Sequence, residues 1–360
     1  MAVKKWAFLI CLLPLILPWG GLGLGQKTGA TGLFAFWTLI FIFGIMPILD
    51  GCVGLDRHNP SDTDMATLSD QRFYRWLTLL CLPLQFLSLF AGMQHAASLA
   101  YSVEWLGWTL SFGVIGGVVA INVAHELIHK NERLEQWAGG LLLSSVCYGG
   151  FKVEHLRGHH VHVSTPDDAS SARFGQSLYH FLPRAIGRNV RNAFALEALR
   201  LQQKRLPRWS RHNELLVWYG ISALIALSAF VVWGLSGLLF FAGQSLVAFV
   251  LLEIINYVEH YGLHRRRDAA GSYERVTPQH SWNSSYRLTN LFLLHLQRHS
   301  DHHAFPKRRY QVLRHFDDSP QLPAGYATMV VLACIPPLWR YVMNPRVKAY
   351  YQDDEKALSS

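Results

Sequence analysis

Six long apolar runs divide this chain, and they restrict its fold more than any other feature. A helix needs roughly 20 apolar residues to cross about 30 Å of hydrocarbon. The chain is also 51% hydrophobic and only 16% charged, which is poor in charge for a soluble protein. We therefore predict an all-α, polytopic membrane protein with about six transmembrane helices, at residues 6–24, 31–49, 74–95, 106–128, 215–233 and 235–258.

Positive charge predicts how these spans are oriented. If the amino terminus is cytoplasmic and the spans alternate, Lys27 is the only one of 33 Lys and Arg residues on the far side. The net charge of +9 is then expected to face the cytoplasm and anionic lipid headgroups. No motif supports nucleic-acid binding. Lys4 and Lys5 open the first run, but its apolar stretch exceeds a signal-peptide core and no small-residue cleavage site follows it.

The segments between the spans are expected to fold over one end of the membrane helices. We predict a single domain, residues 1–360, in which about 129–213 and 259–360 form a cytoplasmic helical cap. Within this cap, residues 177–203 have apolar side chains at helical spacing and predict an interfacial helix. The five cysteines are scattered without a Cys-x-x-Cys pair, so the sequence contains no rubredoxin-type iron site of its own.

Clustered histidines are the strongest chemical signal in the sequence. Nine of the 18 histidines lie in four short segments, which the predicted topology places on one side of the membrane. Imidazole binds iron, copper and zinc, and nine imidazoles exceed what one four-coordinate ion can use. The sequence therefore predicts a site for two metal ions, with the ligands His125, His129, His155, His159, His160, His260, His299, His302 and His303.

Helical spacing predicts how these histidines divide between two ions. Residues four apart share one face of an α-helix, whereas a directly adjacent residue points about 100° away. His155 and His159 are therefore expected to be able to chelate one ion, with His160 directed towards a second ion or a different side of the cavity. The same rule pairs His299 with His303 and separates His302 from them.

Residues beside the nine histidines are candidates to support the ligands. Glu259 and Asp301 adjoin a ligand, and carboxylates commonly accept a hydrogen bond from the free ring nitrogen of a metal-bound histidine. Glu126 and His280 are further candidates for this supporting role. His162 follows the second cluster closely, and its role is left open.

Two other functions are compatible with part of this pattern. His-Glu-x-x-His on a helix is also found in zinc metalloproteases, where Glu126 would be the general base, but a protease site leaves three clusters unexplained. A divalent-metal transporter would carry its ligands near mid-bilayer. Here the clusters are predicted at the cytoplasmic ends of the spans, which favours an enzyme.

The strings HELIHK, EHLRGHH, NYVEHYGL and LQRHSDHHA resemble the integral-membrane alkane 1-monooxygenases of the membrane fatty-acid desaturase and hydroxylase superfamily. The resemblance extends over about residues 36–345 and includes residues 47–50, 165–169 and 280–283. It implies a non-haem di-iron centre with two Fe ions held by the nine histidines. It also implies electrons from a separate rubredoxin, supplied by a rubredoxin reductase from NADH.

The resemblance implies hydroxylation of the terminal methyl of medium-chain n-alkanes to 1-alkanols with O2, in the bacterial inner membrane and with the active site towards the cytoplasm. An inert methyl group has no acidic proton or leaving group, so an oxidising metal site is required. Related enzymes that hydroxylate alkyl-aromatic methyl groups or desaturate lipids are the nearest alternatives. Candidate walls of a substrate channel lie on the second span, at Phe36, Leu39, Ile42 and Phe43.

Overall fold

The chain folds into helices joined by loops. The structure is a computed structural model that describes residues 2–352, with side chains from residue 5 onward. Within this range, pairing between extended segments is limited to isolated bridges, and the all-α prediction is confirmed. The helices are α1 Lys5–Thr28, α2 Trp37–Val53, α3 Asp62–Ser69, α4 Arg72–Ser98, α5 Val103–Ile128, α6 Arg133–Ser144, α7 150–162, α8 Leu178–Gln203, α9 214–233, α10 235–260, α11 Arg287–Phe292, α12 His299–Ala304, α13 Tyr326–Ala333 and α14 Pro336–Tyr350.

Among the described residues, four helical stretches are long and apolar enough to cross a membrane: α1, α4, α5 and the continuous stretch Glu214–His260. α2 is also apolar but shorter, because the predicted run at 31–49 is interrupted by a turn after the short helix Thr31–Phe34. The length and apolar composition of these helices are those of a membrane protein. The count of six spans is not confirmed by this criterion and stays a prediction.

The stretch Glu214–His260 is a helical hairpin that reverses at Gly234. This glycine has φ 63° and ψ −152°, a conformation that side chains with a Cβ rarely adopt. Tyr219 and Phe249, on either side of the turn, line the same cavity, and a Cβ placed on Gly237 would lie 2.6 Å from the carbonyl oxygen of Ala229. α9 and α10 therefore pack side by side, with bounds close to the two predicted spans.

Loops and short helices of the cap close over the ends of α2 and α5. Asn122 of α5 donates a hydrogen bond from Nδ2 to the carbonyl oxygen of Leu293 at 3.1 Å. The buried carboxylate of Asp50, near the end of α2, accepts hydrogen bonds from the backbone and the side chain of Thr289. These buried polar contacts fix the cap against the membrane helices. The bounds predicted for the cap, about 129–213 and 259–360, remain a prediction.

α8 corresponds closely to the predicted helix at 177–203. It begins after Ser177, whose side chain accepts a hydrogen bond from the backbone of His180. Exposed apolar side chains at Tyr179, Val190 and Phe194 follow one side of the helix, and this arrangement suits a helix at a membrane surface.

In the part of the chain that the structure describes, three single turns of π-helix interrupt α-helices around the histidines. They lie at Phe41–Ile45 in α2, Gly116–Ile121 in α5 and His155–His159 in α7. A π-turn contains one more residue than an α-turn and is frequent at functional sites. Each of these turns shifts the side chains that follow it around the helix axis, which matters most in α7.

Candidate metal centre

The nine predicted histidines lie together, in two adjacent groups. Within each group, one ring nitrogen from every member lies within 4.8 Å of one from each other member. Eight of the nine side chains are buried and the ninth, His160, is half-buried. The two groups are a five-histidine group of His125, His129, His155, His160 and His302, and a four-histidine group of His159, His260, His299 and His303.

α-Helical spacing predicts correctly which histidines share a group in two of three cases. His125 and His129, four apart, both belong to the five-histidine group. His299 and His303, four apart, share the four-histidine group, while the adjacent His302 joins the other. His155, however, shares its group with His160 and not with His159. The expected pairing of His155 with His159 is therefore wrong. The π-turn at His155–His159 is the cause, because it aligns residues five apart instead of four.

The ring nitrogens stand at distances that suit metal ligands. Nε2 of His155 is 3.0 Å from Nε2 of both His129 and His160, and Nε2 of His303 is 2.9 Å from Nε2 of His299. Two nitrogens bound at right angles, each about 2.1 Å from an ion, are separated by about 3.0 Å. Nε2 of His125 and of His260 are buried without a hydrogen-bond partner. Buried polar atoms rarely lack partners, and an ion in each group would satisfy them.

Burial favours the protonation state that binds metal. Burial, followed by the charges of neighbouring histidines, holds the pKa of six imidazoles well below the ordinary value. Neutral imidazole is the form that offers a lone pair to a metal. These six histidines are His129, His155, His160, His299, His302 and His303.

Asp168 holds His159 and was not among the candidates drawn from the sequence. Both carboxylate oxygens lie 3.1 Å from Nδ1 of His159, so Nε2 of that ring is directed to the four-histidine group. Burial lowers the pKa of His159, but Asp168 and other nearby carboxylates outweigh it and raise the pKa overall. The string of residues 165–169 after the second cluster was a usable signal. It did not indicate which of its two aspartates turns inward.

Glu259 lies beside the four-histidine group, as expected for a supporting carboxylate. It does not, however, face the free ring nitrogen of a histidine, where such a carboxylate was expected. Its Oε2 is 3.1 Å from Nε2 of His299, the same nitrogen that faces His303. Its Oε1 accepts a hydrogen bond from the hydroxyl of Tyr326 at 2.8 Å. The carboxylate thus stands on the metal-facing side of His299 and not behind the ring.

The other proposed supporting residues are engaged elsewhere. Glu126 forms a buried ion pair with Lys130 at 2.9 Å, and Asp301 pairs with Arg308. The His280 side chain contacts Glu274 and Thr277, although its backbone oxygen lies 3.4 Å from Nδ1 of His260. Among the described residues, His162 belongs to neither histidine group.

An apolar cavity leads from the membrane helices to the histidines. Its inner end is formed by His125 and His155 of the five-histidine group, by His299 of the four-histidine group, and by Glu259. Ile42 and Phe43 line this cavity, as the sequence predicted. Phe36 and Leu39, the other two predicted wall residues, are not part of its described lining. The remaining walls come mostly from α5, α10, α11 and α13, including Gly117, Val118, Ile121, Leu251, Ile255 and Val330.

The chain is similar in sequence to known proteins over most of its length. The sequence model of the fatty acid desaturase family matches residues 103–333. Alkane 1-monooxygenase 2 of Alcanivorax borkumensis is 54% identical over 97% of this chain and 91% of its own length. Alkane 1-monooxygenase 1 of Pseudomonas aeruginosa is 54% identical over 100% of this chain and 95% of its own length. The xylene/toluene monooxygenase hydroxylase component of Pseudomonas putida is 28% identical over 71% of this chain and 68% of its own length.

The resemblance inferred from the histidine strings is confirmed by these matches, which extend well beyond the strings themselves. The chain is therefore an enzyme of the alkane 1-monooxygenase family, and by its match to the sequence model it belongs to the fatty acid desaturase family.

Proposed function

We propose that this protein is a non-haem di-iron monooxygenase that hydroxylates the terminal methyl of medium-chain n-alkanes to 1-alkanols, with O2 and electrons from a separate rubredoxin. One observation carries the proposal: an apolar cavity between membrane helices ends on histidines of both groups. A narrow apolar passage suits a linear hydrocarbon, and the histidines at its end suit a redox metal.

The nine histidines are the proposed iron ligands. When bound, ferrous iron would supply the reducing electrons that activate dioxygen, which acid–base chemistry cannot do. The chain itself positions the two sites. Rings from α5, α7, α10 and α12 converge at fixed separations, and Asp168 holds the His159 ring through its outer nitrogen.

The cavity walls are proposed to orient the substrate. An alkane partitions from water into hydrocarbon with about 0.8 kcal/mol per CH₂, so the bilayer concentrates it beside the cavity. Ile42 and Phe43 of α2 face α5 and α10 across the passage. A chain enclosed by these side chains can present only one end to the histidines, which favours the terminal methyl. The same walls exclude water from the site.

Glu259 is the proposed group that holds a proton at the inner end of the cavity. Its Oε2 faces His299, and its Oε1 accepts the hydroxyl hydrogen of Tyr326. Reduction of one oxygen atom to water consumes protons. This carboxyl group and this hydroxyl group belong to the cavity lining, and the carboxyl group lies directly beside a histidine of the site.

The electron donor is proposed to be a rubredoxin that meets the cap from the cytoplasm. The exposed Arg266, Arg267 and Lys307 give the cap a basic surface, and small acidic electron carriers are attracted to such surfaces. This assignment places the enzyme in the bacterial inner membrane, with the histidines towards the cytoplasm, in agreement with the charge distribution of the sequence.

The test is product formation by the purified, iron-loaded protein with rubredoxin, rubredoxin reductase and NADH. Octane, toluene and an acyl lipid are offered separately under ¹⁸O₂. We expect 1-octanol carrying one ¹⁸O atom, and no product in the absence of rubredoxin. Benzyl alcohol as the preferred product would instead favour the alkyl-aromatic enzyme that the xylene/toluene relative represents. A desaturated acyl lipid, or no oxygenated product from any substrate, would contradict the proposal.

A further inference from the structure

A buried tyrosine on the far side of the five-histidine group has no part in the proposed hydroxylation. Tyr148 follows α6 and is 5% exposed. Its ring stacks on Phe151 with centroids 5.8 Å apart and planes at 19°. Phe151 in turn stacks on His155, at 4.6 Å and 26°. Three parallel rings therefore connect the phenol to a histidine whose Nε2 lies among the proposed ligands.

The Tyr148 hydroxyl is paired with a fully buried carboxylate. It donates a hydrogen bond to Oε1 of Glu253 at 2.5 Å. Amide nitrogens of Asn189 and Asn256 also donate to Glu253, at 2.9 Å and 3.2 Å. An ionised carboxyl group accepts hydrogen bonds and donates none, so the three converging donors suit Glu253 as a carboxylate, which is the form that the proposed step uses. It can accept the phenolic proton without any movement of the chain.

Tyr148 also separates two cavities. Phe151 and His155 border the apolar cavity that ends at the histidines, whereas Tyr148 borders a second, open cavity between α8 and the α9–α10 hairpin. An oxidising equivalent that leaves the site through the three rings thus moves away from the substrate and towards the protein surface.

We propose that Tyr148 is a redox-active tyrosine that removes oxidising equivalents when dioxygen reacts at the histidine site without an alkane present. Tyr148 gives one electron to the site through Phe151 and His155, and its proton to Oε1 of Glu253. A neutral phenoxyl radical and a carboxylic acid result. The oxidant is dioxygen, which monooxygenation already consumes. One electron from the reductant, with the proton held on Glu253, restores the phenol.

This step rests on the proposed iron-dependent function, and the geometry gives it a defined purpose. Without a substrate, the nearest oxidisable groups are the site's own side chains, including Phe151 and the histidine rings. A phenol gives up an electron more readily than these rings once a base accepts its proton. Among the tyrosines that the structure describes, Tyr148 has both the base and the stacked connection to a histidine. Other tyrosines at the site, such as Tyr326, hydrogen-bond to a carboxylate that itself faces the histidines.

The test uses the full-length, iron-loaded protein, reduced chemically and mixed with dioxygen in the absence of alkane. Samples are freeze-quenched and examined by electron paramagnetic resonance, with ring-deuterated tyrosine to identify a tyrosyl radical by its hyperfine splitting. We expect the radical in the wild-type protein, its loss in Tyr148→Phe and a strong reduction in Glu253→Gln. Tyr219→Phe is the matched control, because Tyr219 borders the same open cavity, and it should keep the full signal.

A second readout separates this role from a structural one. Tyr148→Phe keeps the ring and its stacking, so the iron content should match the wild type, and thermal unfolding should change only by the loss of one buried hydrogen bond. Under dioxygen without alkane, however, it should lose activity faster than the wild type. An unchanged radical in Tyr148→Phe, or no tyrosyl radical in a wild-type protein that hydroxylates octane, would overturn the inference and leave the proposed function intact. Failure of the wild-type protein to hydroxylate octane would contradict the proposed function itself.

Discussion

The two histidine groups contain the same type of ligand but are supported differently. The five-histidine group is built from imidazoles of α5, α7 and α12, and among the described ion pairs no carboxylate reaches its ring nitrogens. The four-histidine group has Asp168 behind His159 and Glu259 beside His299. Metal binding by the five-histidine group is therefore expected to depend on the number of its imidazoles. Metal binding by the four-histidine group is expected to depend also on carboxylates that other segments of the chain supply.

The largest expected effect is the loss of a ligand from the five-histidine group. His155→Ala and His302→Ala should each abolish turnover together with bound iron, because no described carboxylate is placed to compensate there. His162→Ala is the matched control, since His162 lies in the same segment and joins neither group. Iron content by elemental analysis and 1-octanol by gas chromatography check this. Retained turnover in either variant would remove that histidine from the ligand set.

The next effect tests the carboxylate support of the four-histidine group. Asp168→Asn keeps the size of the side chain but removes the charge that holds His159, and changes of this kind typically cost about 10- to 100-fold in metal affinity. Asp167→Asn, at the exposed neighbouring position, should bind iron like the wild type. Competition with a chelator measures the affinity. Equal affinities for the two variants would mean that the groups do not differ in this way.

A smaller effect concerns the cavity that ends between the two groups. Val330→Phe fills part of the lining and should shift the preferred substrate to shorter alkanes. Each CH₂ that no longer fits loses about 0.8 kcal/mol, or roughly fourfold in specificity. Val331→Phe changes the next residue, which is exposed, and should leave the preference unchanged. Competition between alkanes of different length gives the measurement, and a parallel shift in both variants would exclude this cavity as the substrate site.

The smallest effect concerns the hydrogen bond from Tyr326 to Glu259. Tyr326→Phe removes one hydrogen bond, worth about 0.5–1.5 kcal/mol, and should lower kcat several-fold while the iron content stays the same. Tyr179→Phe removes a hydroxyl from an exposed tyrosine away from the cavity and is the control. A loss of iron in Tyr326→Phe would show that this pair supports the ligands rather than the reaction.

The sequence predicted which nine histidines come together because the relevant signals are local. Apolar runs identify membrane helices by length, and histidines four apart share a face wherever the helix is a regular α-helix. The pairing of His155 with His160 could not be predicted, because it depends on a π-turn that the residue types do not announce. Asp168 was missed for another reason. Its contact with His159 is formed by a loop that folds back after α7, and either Asp167 or Asp168 could have made it.

The supporting carboxylates show the same limit. Asp301 and Glu126 adjoin ligands in sequence, but each is drawn to a nearby basic side chain, Arg308 and Lys130. Sequence spacing along a helix predicts the direction in which a side chain leaves that helix, but not the residues that it meets there. Which partner a buried carboxylate finds depends on the loops that pack against it, and spacing carries no information about these loops.

The central claim is that two neighbouring histidine groups hold two irons at the end of an apolar cavity. Elemental analysis of the purified, full-length protein tests it most directly. Iron at close to two equivalents per chain is the predicted result, with loss of 1-octanol formation when a chelator removes it. Zinc in place of iron, together with oxygen-dependent activity that does not follow the iron content, would contradict the claim.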